Sequence, residues 1–74
     1  MVSWGTKIQT EANPALAATL PRFASAEEAR RYGRWLQRKP YLHVLAHEAF
    51  ETAGPINATF PRGARSLLWT RDEG

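Results

Sequence analysis

The chain has no cysteine, which excludes disulfide bonds, thiolate metal ligands and a cysteine nucleophile. It has no apolar run near the roughly 20 residues that cross a bilayer. It also has no basic segment followed by an apolar stretch that would mark a signal peptide, and no glycine-rich phosphate loop. We therefore expect a soluble protein of the cytoplasm.

The composition fits one small globular domain. The 74 residues are too few for a two-domain enzyme or a dinucleotide-binding fold, and 43% hydrophobic with 23% charged residues is ordinary for a folded chain. We predict a single domain over residues 1–74, with 62–74 as a candidate flexible tail. The net charge is +3, and eight of the ten basic residues are arginine, whose forked guanidinium suits phosphate and carboxylate groups.

A capped helix over residues 26–38 is the clearest local signal. Ser25 can accept the amide of Glu28, and the Glu28 carboxylate can reach back to the Ser25 amide, as in a capping box. Pro40 then stops the helix. Gly33 costs about 1 kcal/mol in a helix interior, so we expect it where the helix closely approaches a sheet. One face of the helix carries an apolar stripe, which consists of Ala29, Tyr32, Gly33 and Leu36.

Three other segments have strand patterns. Residues 4–11 alternate with a period of two, as in a strand with one solvated face. Residues 20–24 are a candidate short strand, which Pro21 confines to an edge or a bulge. Residues 56–60 alternate again and end at a proline. These segments predict a small sheet against which the helix can pack.

The segment over residues 41–53 fits two structures. Its apolar residues match the helical series i, i+3, i+4, i+7 without a gap, which predicts a second helix that ends before Gly54 and Pro55. Its residues with high β-propensity after Pro40 instead predict a strand over 47–52 that would pack under the first helix. The apolar pattern alone favours the second helix, and β-propensity does not decide between the two structures.

Three pieces of the chain form a combination: Phe-Ala-Ser with Glu-Glu-Ala within 22–29, Tyr-Gly-Arg-Trp-Leu over 32–36, and Pro-Ile-Asn over 55–57. The combination resembles small phage- and prophage-type proteins with a Phe-Ala-Thr/Ser, Glu-Glu-Ala, Tyr helix start and a terminal Pro-Val/Ile-Asn element. The resemblance implies an α+β fold, with one main helix packed on a short antiparallel sheet in the order β-β-α-β-β. It favours the strand over 47–52, while a second helix over 41–53 remains the alternative. It implies no catalytic residue and no cofactor.

The far side of the predicted helix is rich in arginine. Arg30, Arg34 and Arg38 are spaced four apart, with Arg31 beside them and Trp35 at the seam with the apolar stripe. Like charges at this spacing cost about 0.2–0.5 kcal/mol per pair. The pattern is typical either of a solvated helix face or of an anion-recognising patch. In the second case the tryptophan stacks on a base or anchors a protein interface.

A second candidate surface is the apolar cluster of Leu67, Leu68 and Trp69. It either docks on the sheet to complete a thin core or stays exposed as a patch that binds a partner.

The residues with catalytic or metal-binding chemistry form no convincing site. His43, His47 and Glu51 have the spacing of metal ligands on one helix, but a single helix supplies too few ligands. On a strand the three would spread over more than about 20 Å. Ser25 is committed to capping, and no serine, histidine and acid combination is evident. We predict no metal site and no enzyme activity.

The sequence thus predicts a non-catalytic binding protein, encoded by a phage or mobile element, that attaches to a host protein or nucleoprotein complex. A stoichiometric inhibitor of a host defence complex, resembling an anti-CRISPR protein in its mode of action, is the concrete version. The predicted contact residues are those of the arginine face, since arginine and tryptophan with few lysines are typical of protein interfaces. The alternative is a small nucleic-acid-binding module that uses the same face. The oligomeric state stays open.

Overall fold

The computed structural model describes residues 1–70; Arg71–Gly74, the end of the predicted tail, lie outside the described residues. The described part is an α+β domain with one α-helix, a three-stranded antiparallel sheet and a two-stranded sheet. The predicted fold class is therefore confirmed.

The main sheet has the strand order β2-β1-β3. Strand β1 (Val2–Thr10) is central, β2 (Ala17–Ala18) pairs with it on one side, and β3 (Val44–Ala53) pairs with it on the other. The pairing of β1 with β3 is regular from Val2 opposite Ala53 to Gln9 opposite Ala46, and then a bulge shifts the register. Most of the sheet is this one long antiparallel pair, whose two strands are far apart in sequence.

Helix α1 (Ala26–Gln37) lies across one face of this sheet. Ser25 is its N-cap and accepts the amide of Glu28, so the predicted start is confirmed. The Glu28 carboxylate does not reach back to the Ser25 amide, as a full capping box requires. It instead accepts the amide of Phe60 at 3.0 Å. All four residues of the predicted apolar stripe are buried: Ala29, Tyr32, Gly33 and Leu36.

Gly33 lies where α1 packs closely against the sheet. A β-carbon placed on Gly33 would lie 2.7 Å from Cγ of His47 on β3. The expectation that this glycine permits a close helix–sheet contact is confirmed. Nearby, the Thr6 hydroxyl on β1 is fully buried and donates to the Ala29 carbonyl at 2.7 Å. These contacts fix the orientation of α1 on the sheet.

The ambiguous segment is a strand, and the second helix over 41–53 is wrong. A single 3-10 turn over Pro40–Leu42 is followed by His43 in the left-handed conformation, with φ 52°, and β3 begins at the next residue. The helical series had matched because several of its members are alanine, which fits either period. The local turn and the long-range pairing with β1 together make this segment a strand.

The predicted second strand over 20–24 is misplaced. Strand β2 forms earlier, at Ala17–Ala18, and Pro21 is buried. Phe23 contributes an isolated bridge to Trp4, with hydrogen bonds in both directions at 2.6 and 2.8 Å. Because Pro21 has no amide to donate, the chain after it pairs with the edge of β1 through the single bridge of Phe23.

The core combines Phe23, residues of α1 and residues of the segment that follows β3, and partly buried side chains of β1 and β3 pack against it. Its buried hydrophobic members are Phe23, Ala29, Tyr32, Leu36, Ala58 and Phe60. The predicted strand over 56–60 is confirmed as the shorter β4 (Ala58–Thr59), which pairs with β5 (Leu68–Trp69) in the second sheet. The stretch between β4 and β5 passes along the helix and forms the candidate site.

Candidate binding groove

A groove of about 580 Å³ lies between the C-terminal half of α1 and the stretch from Phe60 to Arg65. Five of its nine lining residues are basic and none is acidic, which gives the groove a concentrated positive charge. We call it the basic groove. Its lining residues are Arg31, Arg34, Trp35, Arg38, Lys39, Phe60, Gly63, Ala64 and Arg65.

The stretch from Phe60 to Arg65 forms the outer wall of the groove. This wall is attached to the helix through the backbone of Phe60. The Phe60 amide donates to Glu28, and its carbonyl accepts from Arg31, each at 3.0 Å. The Phe60 side chain is almost fully buried against Tyr32 and Trp35. After Pro61, a turn closes with the Ala64 amide on the Pro61 carbonyl at 3.0 Å. The wall therefore has a fixed position relative to α1.

Trp35 lines the groove, and its partly exposed indole is already engaged within the chain. Its ring stacks on Tyr32 with 5.8 Å between ring centroids, and the Lys39 ammonium lies 4.2 Å from its ring centre. The indole N–H donates to the Arg65 carbonyl at 2.9 Å. The sequence predicted Trp35 at the seam between the arginine face and the apolar stripe, and the structure shows it there. In the structure, however, the ring packs between α1 and the 61–65 stretch.

The four predicted arginines have two different environments. Arg31 is largely covered, with 18% of its side chain exposed, and pairs with Glu27 at 3.0 Å while also binding the Phe60 carbonyl. Arg30, Arg34 and Arg38 are exposed. In residues 1–70 none of these three has a carboxylate within salt-bridge distance. Arg34 and Arg38 line the groove, and Arg30 does not.

Two basic residues of the groove were not predicted from the sequence. Lys39 directly follows the helix, and Arg65 belongs to the stretch predicted as a tail. Neither has a local pattern that separates it from an ordinary surface cation. The available signal was the position of Arg62 and Arg65 in a segment without nearby carboxylates, but only the fold brings that segment beside α1.

The apolar cluster near the chain's end is divided between core and surface. Leu67 is partly buried and packs against the core. Leu68 and Trp69 form β5 and are 51% and 56% exposed. The cluster thus docks through Leu67 on the core, and its other two members lie on the small second sheet rather than on the main one.

The two histidines are held by different neighbours. His43 pairs with Glu11 at 3.1 Å on the surface. His47 packs beneath Gly33, and its Nδ1 is buried without a hydrogen-bond partner. Within residues 1–70 no three histidine, aspartate or glutamate side chains are grouped as metal ligands. The metal-ligand spacing of His43, His47 and Glu51 thus corresponds to no three-residue cluster in this part of the chain.

No helix within residues 1–70 has the length and apolarity needed to cross a membrane. The chain matches no protein-family model, and searches of the curated proteins and of the solved structures also find no significant match. The function must therefore be argued from the groove itself.

Proposed function

We propose that this chain is a non-catalytic binding protein whose basic groove holds an acidic segment of a larger partner protein. The observation that carries the proposal is the lining of the groove, in which five basic side chains and no acidic one surround a single depression. Guanidinium groups bind carboxylates through paired, charge-assisted hydrogen bonds. An acidic segment is the ligand that this lining complements best.

The electrostatic balance of the groove supports an anionic ligand. Arg34 and Arg38 lie one helical turn apart, and such like-charged neighbours destabilise a helix. Arg31 already has its carboxylate, Glu27, whereas the described residues supply none for Arg34 or Arg38. A ligand that brings carboxylates to these two arginines would remove this repulsion.

The state of Trp35 favours protein over single-stranded nucleic acid. Proteins that bind single strands stack bases on accessible aromatic rings. Here the indole is stacked on Tyr32, lies under Lys39 and donates to Arg65. The groove therefore offers cations without a free stacking platform.

Binding to nucleic acid through phosphates alone is the second candidate, because Arg30, Arg34 and Arg38 form an exposed row along α1. Such binding depends strongly on salt. With four phosphate contacts, affinity for a duplex would fall about a hundredfold between 50 and 200 mM salt. A protein ligand that also buries apolar surface would lose much less affinity over the same range of salt.

The resemblance to phage- and prophage-type proteins leads us to place the partner in a host cell, as a protein or a nucleoprotein complex. The mode of action would be occupation of a partner surface in a fixed ratio, as in an inhibitor of a defence complex. Arginines would contact acidic side chains of the partner or compete there for sites that bind phosphate.

The experiment titrates three ligands into the isotope-labelled chain and follows its amide signals by NMR. The ligands are a glutamate-rich peptide, a 20-nucleotide single-stranded DNA and the corresponding duplex. We expect the peptide to shift the amide signals of Arg34, Arg38 and Gly63–Arg65. The Arg34→Glu variant should bind the peptide about tenfold more weakly. Arg62→Glu is the matched control, since it makes the same charge change at an exposed residue outside the groove lining. The same pair of variants then serves in pull-down from host lysate.

Three results would contradict the proposal. Shifts outside the groove would show that the ligand binds elsewhere. An equal loss with Arg34→Glu and Arg62→Glu would show that only net charge matters. DNA binding with a steep salt dependence and no peptide binding would establish the nucleic-acid function instead.

A further inference from the structure

The cations of the basic groove are held in place in different ways. Arg34 lies on α1 and Arg38 is the C-cap of that helix, so the helix backbone places both residues. Arg65 lies on the outer wall, in the connection between β4 and β5, where no helix or strand places it. Its position opposite α1 therefore depends on contacts with other residues.

The connection between β4 and β5 is anchored at both of its ends. At the first end, the Phe60 backbone binds Glu28 and Arg31, each at 3.0 Å. At the second end, Leu67 packs against the core. Between these two anchors the chain makes one hydrogen bond to α1 among the described residues, which the Trp35 indole N–H donates to the Arg65 carbonyl at 2.9 Å. This bond is what ties Arg65 to the helix.

The indole is itself fixed from the core side. It stacks on the buried Tyr32 at 5.8 Å between ring centroids, and the Phe60 ring lies tilted against it at 5.9 Å. Closely packed rings have few alternative arrangements. The cluster therefore keeps the indole edge directed at Arg65. The indole face lies 4.2 Å from the Lys39 ammonium, so the same side chain contacts a second cation of the groove.

We infer that Trp35 is the positioning residue of the basic groove. Its N–H holds Arg65 opposite the cations of α1, and its ring face holds Lys39 beside them. The inference rests on the proposed binding of an acidic segment, and it gives Trp35 a role other than stacking on a base or anchoring an interface. The ligand's carboxylates contact Arg34 and Arg38 on one side and Arg65 on the other, and the indole sets the spacing of the two sides.

The first test removes the N–H and keeps the rings. Chemical synthesis of the chain allows Trp35 to be replaced by benzothienylalanine, in which sulfur stands in place of the N–H. Stacking on Tyr32 and the contact with Lys39 are then retained. Nitrogen-15 placed at Phe60, Gly63 and Ala64 reports backbone motion through NMR relaxation without any ligand. We expect motion of larger amplitude at Gly63 and Ala64 in the variant, and no change at Phe60.

The second test measures binding of the glutamate-rich peptide in a double-mutant cycle with Trp35→Phe, which also lacks the N–H and can be made by expression. Trp35→Phe and Arg65→Ala should each weaken binding about fivefold. Their combination should weaken it little further, because an arginine that is no longer held in place has little left to contribute. Arg34→Ala is the matched control. It also removes one groove arginine, but the helix places that residue, so its loss should add in full to that of Trp35→Phe.

Three results would overturn the inference. They are unchanged motion at Gly63 and Ala64 without the N–H, additive losses for Trp35→Phe with Arg65→Ala, and equal coupling of Trp35 to Arg34 and Arg65. Equal coupling would show that the ring only supports the fold, which affects both arginines alike. A parent chain that binds no peptide contradicts the proposed function. A parent chain that binds the peptide without coupling to Arg65 contradicts the role of Trp35 alone.

Discussion

Replacing Gly33 with alanine sets two physical effects against each other. In a solvated helix the change stabilises by about 1 kcal/mol, because alanine loses less backbone entropy than glycine. Here the new β-carbon would lie 2.7 Å from Cγ of His47, closer than such atoms come, and 3.1 Å from its Cβ, a tight contact that a small shift relieves. These atoms are near the backbone of β3 and are not the mobile end of a side chain. The strand or the helix must therefore move.

The packing effect should be the larger. Forcing an extra methyl group into a filled contact costs about 1–3 kcal/mol, so the net change is a loss of about 1 kcal/mol or more. In a small domain each 1 kcal/mol lowers the melting temperature by about 4–8 °C. His47→Ala removes the obstructing ring. In that background Gly33→Ala should stabilise the fold by less than about 1 kcal/mol, because the helix-propensity effect then exceeds the cost of the remaining 3.1 Å contact with the β-carbon of residue 47.

The measurement is a double-mutant cycle from urea unfolding, followed by circular dichroism, of the parent chain, both single variants and the double variant. We expect the effect of Gly33→Ala to change sign between the two backgrounds. The reasoning would be refuted if Gly33→Ala alone raised stability. It would also be refuted if the variant were equally destabilising with and without the imidazole, since the close contact would then have no part in the effect.

Two further predictions concern the groove side of the helix. Burial raises the pKa of Tyr32 above its usual value of 10.0. The protonated phenol therefore supports the fold fully below about pH 10, the unfolded value, and this contribution is lost as the pH rises through the folded pKa. In Tyr41→Phe, which leaves Tyr32 as the chain's one phenol, the absorbance change at 295 nm should come above pH 10.0 and accompany unfolding; a midpoint at or below it would contradict the burial argument. Glu28→Gln should destabilise the fold by about 1–2 kcal/mol, because it weakens a charge-assisted bond to the Phe60 amide and the helix N-terminal interaction. Glu27→Gln, with an exposed pair to Arg31, should cost less than about 1 kcal/mol in the same unfolding assay; equal losses would show that the Phe60 contact adds nothing.

The sequence predicted the elements whose determinants are local. Ser25 and the acidic first turn specify where α1 starts, and the spacing of four residues specifies the face that it buries. Alternation likewise predicted β1. The misplaced second strand and the ambiguous segment 41–53 failed for one shared reason. In both, the conformation depends on hydrogen bonds to β1, which a local sequence pattern does not indicate.

The candidate site was only half predictable for the same reason. The arginines of α1 could be grouped because a helix places them at fixed angles. The contribution of Arg65 and the enclosure of Trp35 depend on Phe60, whose backbone is held by Glu28 and Arg31. Glu28 was correctly identified as a helix-start residue, but its carboxylate forms a bond over 32 positions of sequence that no local pattern indicates.

The central place of β1 also constrains how the molecule reaches its native state. Val2 pairs with Ala53, so during synthesis β1 lacks its main partner until β3 has been made. During that interval α1 has no completed sheet on which to bury Tyr32 and Leu36. Loop closure across 34 to 51 residues must precede the gain from pairing, which slows folding relative to a helical protein of the same length. A nascent chain that stalls before β3 would expose an unpaired β1, and such chains are the ones that should aggregate or recruit chaperones.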